Sequence, residues 1–177
     1  MLFVMPQVDI PTLGLLLGRH HGDVLLKHFV GAGVRFLVVG GCALAGWGLR
    51  EVTDVDDMDL LAEPSLKNAQ ALLIALSAAG ISICASANML SRPNQQLPLK
   101  NMLYYAELLT PRQELSFEDA YTSAASVSLF GVELRVASRG TLIQMKELAV
   151  ASLDAELEKH KKDLHTLRGA NHQSNGL

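Results

Sequence analysis

The sequence predicts a mixed α/β (α+β) domain, a small mixed β-sheet with packed helices and a helical segment at the C-terminal end. Three observations predict it. Short apolar β-rich runs alternate with stretches of helical periodicity, a hairpin pattern turns about Gly131, and the last part of the chain reads as helix. The 177 residues suit one domain able to bury a real core, and a hydrophobic content of 49% excludes a disordered chain.

Asp9 with Pro11 marks a helix start, and Leu13, Leu16 and Leu17 form a short apolar stripe. The stretch from Met1 to Leu17 lacks a basic leading region and is interrupted by Asp9 and Pro11, so it reads as a docking helix rather than a signal peptide. Asp23 is expected to cap a second helix through Leu25, Leu26, Phe29 and Val30, ending at Gly31 and Gly33. Arg35 to Val39 predicts a central strand buried on both faces. Gly40 and Gly41 turn it into a short helix from Cys42 to Gly48. A polar loop from Arg50 to Asp56 leads to a second strand, Asp57 to Ala62.

Pro64 and Ser65 open an amphipathic helix carried by Ala69, Leu72, Leu73, Leu76 and Ala79, and Gly80 ends it. Ile81 to Ala85 reads as a strand, Ser91 to Gln96 as a polar loop, and Asn101 to Leu109 as another strand. A helical turn at Phe117 to Ala120 precedes a hairpin, Val127 to Phe130 and Val132 to Val136. Thr141 to about Arg168 is helical, in one piece or two, and the polar tail Gly169 to Leu177 is expected to fray. Residues 1–32 are thus expected as N-terminal helices packed on a core, 33–137 as the core, and 138–177 as a C-terminal helical segment, in a single compact unit.

Composition narrows the functional classes. The net charge of −3 gives no global pull toward nucleic acid, although Lys and Arg recur toward the C-terminal half. Cys42 and Cys84 do not make a secreted disulfide framework, and no apolar run is long enough to span a bilayer. A cytoplasmic protein with no membrane association is expected.

The most informative local feature is Asp57-Met58-Asp59, following Val38-Val39-Gly40-Gly41. Alternate residues of a strand share a face, so Asp-x-Asp at a strand start aims two carboxylates at one point. Two like charges so placed repel by roughly 4 kcal/mol at 4 Å in a partly dry site, which a cation relieves. The glycine turn offers backbone N–H groups to an anion. Metal beside phosphate is the setting of nucleotide chemistry.

Val38-Val39-Gly40-Gly41-Cys42-Ala43-Leu44 followed by Asp57-Met58-Asp59-Leu60-Leu61 resembles the nucleotidyltransferase superfamily, and within it the minimal bacterial branch of abortive-infection toxins. The resemblance continues in order. It runs through Ala62-Glu63-Pro64-Ser65, Arg92-Pro93-Asn94-Gln95-Gln96, Glu107-Leu108-Leu109-Thr110 and Phe117-Glu118-Asp119-Ala120. Gly131 to Val136, Leu142 to Lys146 and Lys161-Lys162-Asp163-Leu164 complete it, so that it covers roughly Gly33 to Arg168.

The resemblance implies the nucleotidyltransferase fold and a metal-dependent transfer of a nucleoside monophosphate from a nucleoside triphosphate (NTP) to an acceptor hydroxyl. The acceptor would be RNA, protein or a small molecule, and an antitoxin is an expected partner. It implies Asp57, Asp59 and Glu107 as ligands of Mg²⁺ (or Mn²⁺), with Glu107 also the general base. Gly40, Gly41 and Cys42 would cradle phosphate, Lys146 would reach the phosphates, and Asp163 would orient Lys146 or the site loop. Hard oxygen ligands shared with substrate phosphates suit Mg²⁺.

Alternatives stay open. Asp54-Val55-Asp56 is a second Asp-x-Asp, at the family's usual distance from Arg50; the later pair is preferred for its apolar continuation, Leu60-Leu61-Ala62. Cys42 stands where the family often has Ser, Thr or Tyr, and a thiol is a poor donor, so packing competes with ligation. Glu107 stands where the family generally carries Asp. A degenerate binding module for nucleotide or partner protein is therefore the second reading. Arg50 and Lys162 are candidates for phosphate contacts, and His160 with His165 lack the spacing and partners for zinc. The apolar N-terminal helix suggests a homodimer contact.

Overall fold

A computed structural model describes residues 7–100, 104–152 and 155–174. Helix α1 (Ile10–Leu17) starts where Asp9 accepts the Thr12 N–H, with Pro11 in its first turn. Its Leu13, Leu16 and Leu17 are buried against α3 (Gly40–Gly46), so the apolar stripe is spent inside the chain's own core and leaves Ile10 and Leu15 outside. Helix α2 (Gly22–Gly31) differs from expectation at its start. His21 holds the cap position and Asp23 lies in the first turn, where a carboxylate still favours the positive end of the helix dipole.

The sheet has six strands: β1 (Phe36–Val39), β2 (Met58–Ala62), β3 (Gln96–Pro98), β4 (Ala106–Leu109), β5 (Ala125–Leu129) and β6 (Val132–Val136). Their order is β3-β4-β2-β1-β6-β5. Every residue of β1 is buried, as its unbroken apolar run requires of a central strand. Strand β2 runs antiparallel to β1, β4 parallel to β2, and β6 parallel to β1. One end of the sheet therefore collects the end of β1, the starts of β2 and β4, and the end of β6. That end carries every candidate site residue contributed by a strand.

Between the strands lie α4 (Leu66–Ala78), α5 (Ala87–Leu90) and α6 (Phe117–Thr122), and after them α7 (Arg139–Ala151) and α8 (Leu157–Ser174). Ser65 caps α4 by accepting the Asn68 N–H, and Gly80, at φ +77°, ends it with Ile81 N–H bonded back to Leu76. The hairpin loop is Phe130-Gly131, both at positive φ, between the paired Leu129 and Val132. Helix α2 packs on α4, and α7 on α8.

Other expectations fail. Residues 81–85 form no strand; Ile81 is buried in the core and the position beside β4 is taken by β3. Its first residue, Gln96, ends the segment expected as polar loop; the strand is three residues long and holds Pro98, which an edge strand tolerates. The strand expected from Asn101 starts at Ala106, and residues 101–103 lie outside the described residues. The expected frayed tail is helical through Ser174, and 175–177 lie outside, as do 1–6 of the N-terminal stretch. Among the described residues no helix is long and apolar enough to cross a membrane.

Asn68 ties α4 to the sheet. Its side chain accepts the Arg35 N–H at 2.7 Å and donates to the carbonyls of Arg35 at 2.9 Å and Glu63 at 3.1 Å, while almost fully buried. Truncation would strand these backbone groups, so Asn68→Ala should lower stability by about 2 kcal/mol in urea unfolding. Ile74→Ala, on the exposed face of the same helix, should change it by less than about 0.5 kcal/mol.

Candidate active site

The site is assembled by strand register. Asp59 stands opposite Val39 on one side and Glu107 on the other, so the carboxyls of Asp59 and Glu107 start from neighbouring positions on one face. Asp57, in the bend just before β2, lies near enough for its charge to act on Asp59. Chain reversal at Gly40 completes the corner. Its φ is +60°, and a Cβ there would stand 1.8 Å from Oδ2 of Asp59, so only glycine lets the backbone lie on that carboxylate. At Gly41 a Cβ would meet Arg50 Nη1 at 3.0 Å.

Burial first, then the charges of Asp57 and Glu107, push the Asp59 carboxyl up to about 7, with Lys146 and Lys159 opposing. Asp57 meets Lys100 Nζ at 2.7 Å, and that hydrogen bond raises the lysine's own pKa. Glu107 accepts a 2.8 Å hydrogen bond from Gln96 Nε2. Cys42 is buried, its thiol 3.5 Å from the Asp57 carbonyl. Burial, with Asp59 and Asp57, pushes it up to about 12, so it stays a neutral packing group. Asp54, in a single 3₁₀ turn (Val52–Asp54), and Asp56 are both exposed.

A second charged group flanks the glycine turn. Asp163, buried on α8, bonds Arg50 and lies 2.9 Å from Lys146 Nζ, an approach close enough for an ion pair though poorly aligned for a hydrogen bond. Burial works against the charged form of Asp163, yet the contacts with Lys146 and Arg50 hold its carboxyl below the usual range. Lys146 also meets His160 Nδ1 at 3.1 Å. Beside this group a cleft of about 390 Å³ is lined by Gly48, Arg50, Asp54, Lys159, Lys162 and Thr166.

Thus Asp57, Asp59, Glu107, Gly40 and Gly41 come together, Lys146 and Asp163 meet beside them, and Cys42 faces inward. Lys100 and Gln96 were not legible as site residues, because nothing in local spacing shows that they reach carboxylates far along the chain. Among the described residues no three Cys, His, Asp or Glu close on one point to cage a metal. A divalent cation nevertheless fits. The donors are hard oxygens crowded at one corner, with only the exposed Lys100 ammonium paired to Asp57, and Mg²⁺ commonly takes one or two carboxylates and completes its shell from phosphates and water.

The solved structure of an antigenic nucleotidyltransferase-like protein from Paracoccidioides brasiliensis superposes with a TM-score of 0.52 at 13% identity, over 92% of this chain and 78% of that one. The chain has a nucleotidyltransferase-like fold. At that identity the likeness speaks for the fold alone. No protein-family model matches the sequence, and no curated protein does.

Two predictions follow from these charges. An acid whose folded-state pKa is raised keeps a proton that the unfolded chain has released, so its contribution to stability is present below about pH 4 and lost as pH rises through about 7. The melting temperature without divalent cations should therefore fall from about pH 4 to about pH 7, and Asp59→Asn should flatten that fall. Asp163→Ala leaves Arg50 and Lys146 buried without their shared counter-ion and should cost about 3 kcal/mol in chemical denaturation at pH 7.

Proposed function

We propose that the protein is a metal-dependent nucleotidyltransferase that moves a nucleoside monophosphate from an NTP to an acceptor hydroxyl. The observation that carries this reading is the register of Asp59 with Glu107, with Asp59 seated on Gly40. A divalent cation, Mg²⁺ or Mn²⁺, held by Asp57 and Asp59 with Glu107, would neutralise the polyphosphate and the charge that develops on it. The chain's own groups supply the rest. Gly40, Gly41 and the Cys42 backbone open α3, whose first N–H groups lack intrahelical partners and suit a phosphate oxygen.

Lys146 and Arg50, fixed by Asp163, hold positive charge on the side where pyrophosphate departs. Glu107 takes the proton of the acceptor O–H as that oxygen bonds to the α-phosphorus, and the bond from phosphorus to the bridging oxygen breaks. The setting suggested by the abortive-infection resemblance is a cytoplasmic toxin held by an antitoxin partner.

One observation favours the second reading, a binding module without turnover. The Gln96 amide already occupies an oxygen of Glu107, the group assigned as base.

Mg²⁺ with an NTP should raise the melting temperature of wild type by several degrees and leave Asp57→Asn/Asp59→Asn unmoved, as ligand linkage requires. An unchanged curve across all four triphosphates would overturn the reading. Transfer of label from α-labelled NTP to cell RNA or protein decides between enzyme and module. Binding with no transfer, in both wild type and Glu107→Asp, would establish the module.

A further inference from the structure

The two edges of the sheet are built differently. At one, β3 is three residues long, holds Pro98 and is followed by Lys100. A short strand, a proline and a lysine are common means of keeping a sheet edge from pairing with another chain. At the other edge, β5 pairs with β6 in unbroken register from Ala125 to Leu129, with no bulge, proline or charge in the strand.

The hairpin turn decides which backbone groups of β5 face outward. Leu129 and Val132 flank a two-residue turn and so form a hydrogen-bonded pair, and such pairs alternate along an antiparallel ladder. Leu129, Val127 and Ala125 therefore spend their N–H and C=O groups on β6, and those of Ser126 and Ser128 point away from it. Both serines are exposed, and among the described residues neither has a backbone bond outside the ladder. Helix α1 lies over Leu129 through Gly14, on the face opposite the serines.

On the serines' own face, β6 carries Glu133 opposite Ser128 and Arg135 opposite Ser126. Among the described residues neither charge has an ion-pair partner. Glu133 accepts a hydrogen bond from Ser126 Oγ, and Arg135 donates to the Tyr121 carbonyl with its guanidinium 4.5 Å from that ring's centre.

We infer that β5 pairs edge to edge with β5 of a second copy of this chain, antiparallel and centred on Val127, so that the two sheets become one. Ser126 of one copy then faces Ser128 of the other, and each such pair exchanges both backbone hydrogen bonds. Charge selects this register. Pairing Ser126 with Ser126 would set the two copies of Arg135 in one cross-strand row, and pairing Ser128 with Ser128 would do the same with Glu133. The centred register instead lines each Arg135 up with Glu133 of the other copy, three strand spacings or about 14 Å away, with only serines between. The strand thus complements itself, as a two-fold contact requires. Both carboxylate corners stay clear of it, because β1 and β6 separate β5 from β2 and β4. So short an edge buries little area, and the dimer is a weak one that forms with concentration.

Sedimentation velocity of the full chain at low salt, from micromolar to near-millimolar concentration, tests it. Wild type should pass from monomer to dimer. Glu133→Arg and Arg135→Glu should each weaken the dimer roughly ten-fold, since either one makes every row like-charged. An equimolar mixture of these two variants should dimerise again, because its rows are opposite in charge once more. Ser128→Pro removes an outward N–H that the hairpin does not use, and should abolish the dimer while the melting temperature of dilute protein holds.

A chain that stays monomeric throughout, alone or with a strand of another protein on β5, would overturn the inference. So would a dimer that survives Ser128→Pro, or a variant mixture that fails to dimerise; the mixture decides even where the proline unfolds the hairpin. A dimer lost on Leu15→Ser but kept in the charge variants would put the contact on α1 and likewise overturn it.

Discussion

The structure depends on the packing of one carboxylate on one glycine. Asp59 is pinned by pairing on both sides, to Val39 and to Glu107, and its Oδ2 occupies the space that a Cβ at position 40 would take. Register and turn therefore fix each other. A slip of one residue along β2 would turn Asp57 and Asp59 to the opposite face and bury their charges in the core. The two long apolar side chains that follow, Leu60 and Leu61, fill opposite faces of the sheet and make that slip costly.

Much of this was legible because the signals are local. The buried run of β1, the Ser65 cap and Gly80 stop of α4, and the two-residue turn at Gly131 each state their structure within a few residues. The spacing from Gly40 to Asp59 likewise carried the corner, since a strand, a turn and a strand start are all short-range patterns. Three features escaped. Residues 81–85 have strand composition but no neighbour to pair with, β3 is too short to show a period, and α2 is entered through left-handed His21.

Site residues escaped for a related reason. Lys100 meets Asp57 from beyond the end of β3, Gln96 reaches Glu107 across an edge pairing, and His20 meets Tyr105 from between two helices. None of these contacts leaves a periodic trace. Asp163 was singled out by its setting in Lys162-Asp163-Leu164. Its bond to Arg50, 113 positions away in sequence, is visible only once α8 lies against the glycine turn.

The two ion groups at the corner differ in what holds them, and this separates their roles. Arg50, Lys146 and Asp163 have side chains about one-tenth exposed, so the loss of any one leaves charge in a poorly solvated place, a penalty of about 3–5 kcal/mol. That group is a fixture, and the cations it presents to the glycine turn are preorganised. Lys100 is 40% exposed and its pair with Asp57 is of the kind worth at most about 1 kcal/mol. An ammonium so loosely held is displaced from Asp57 at little cost. The chain thus keeps its crowded carboxylates partly neutralised by a charge that is cheap to move, while the charges beside the glycine turn are costly to disturb.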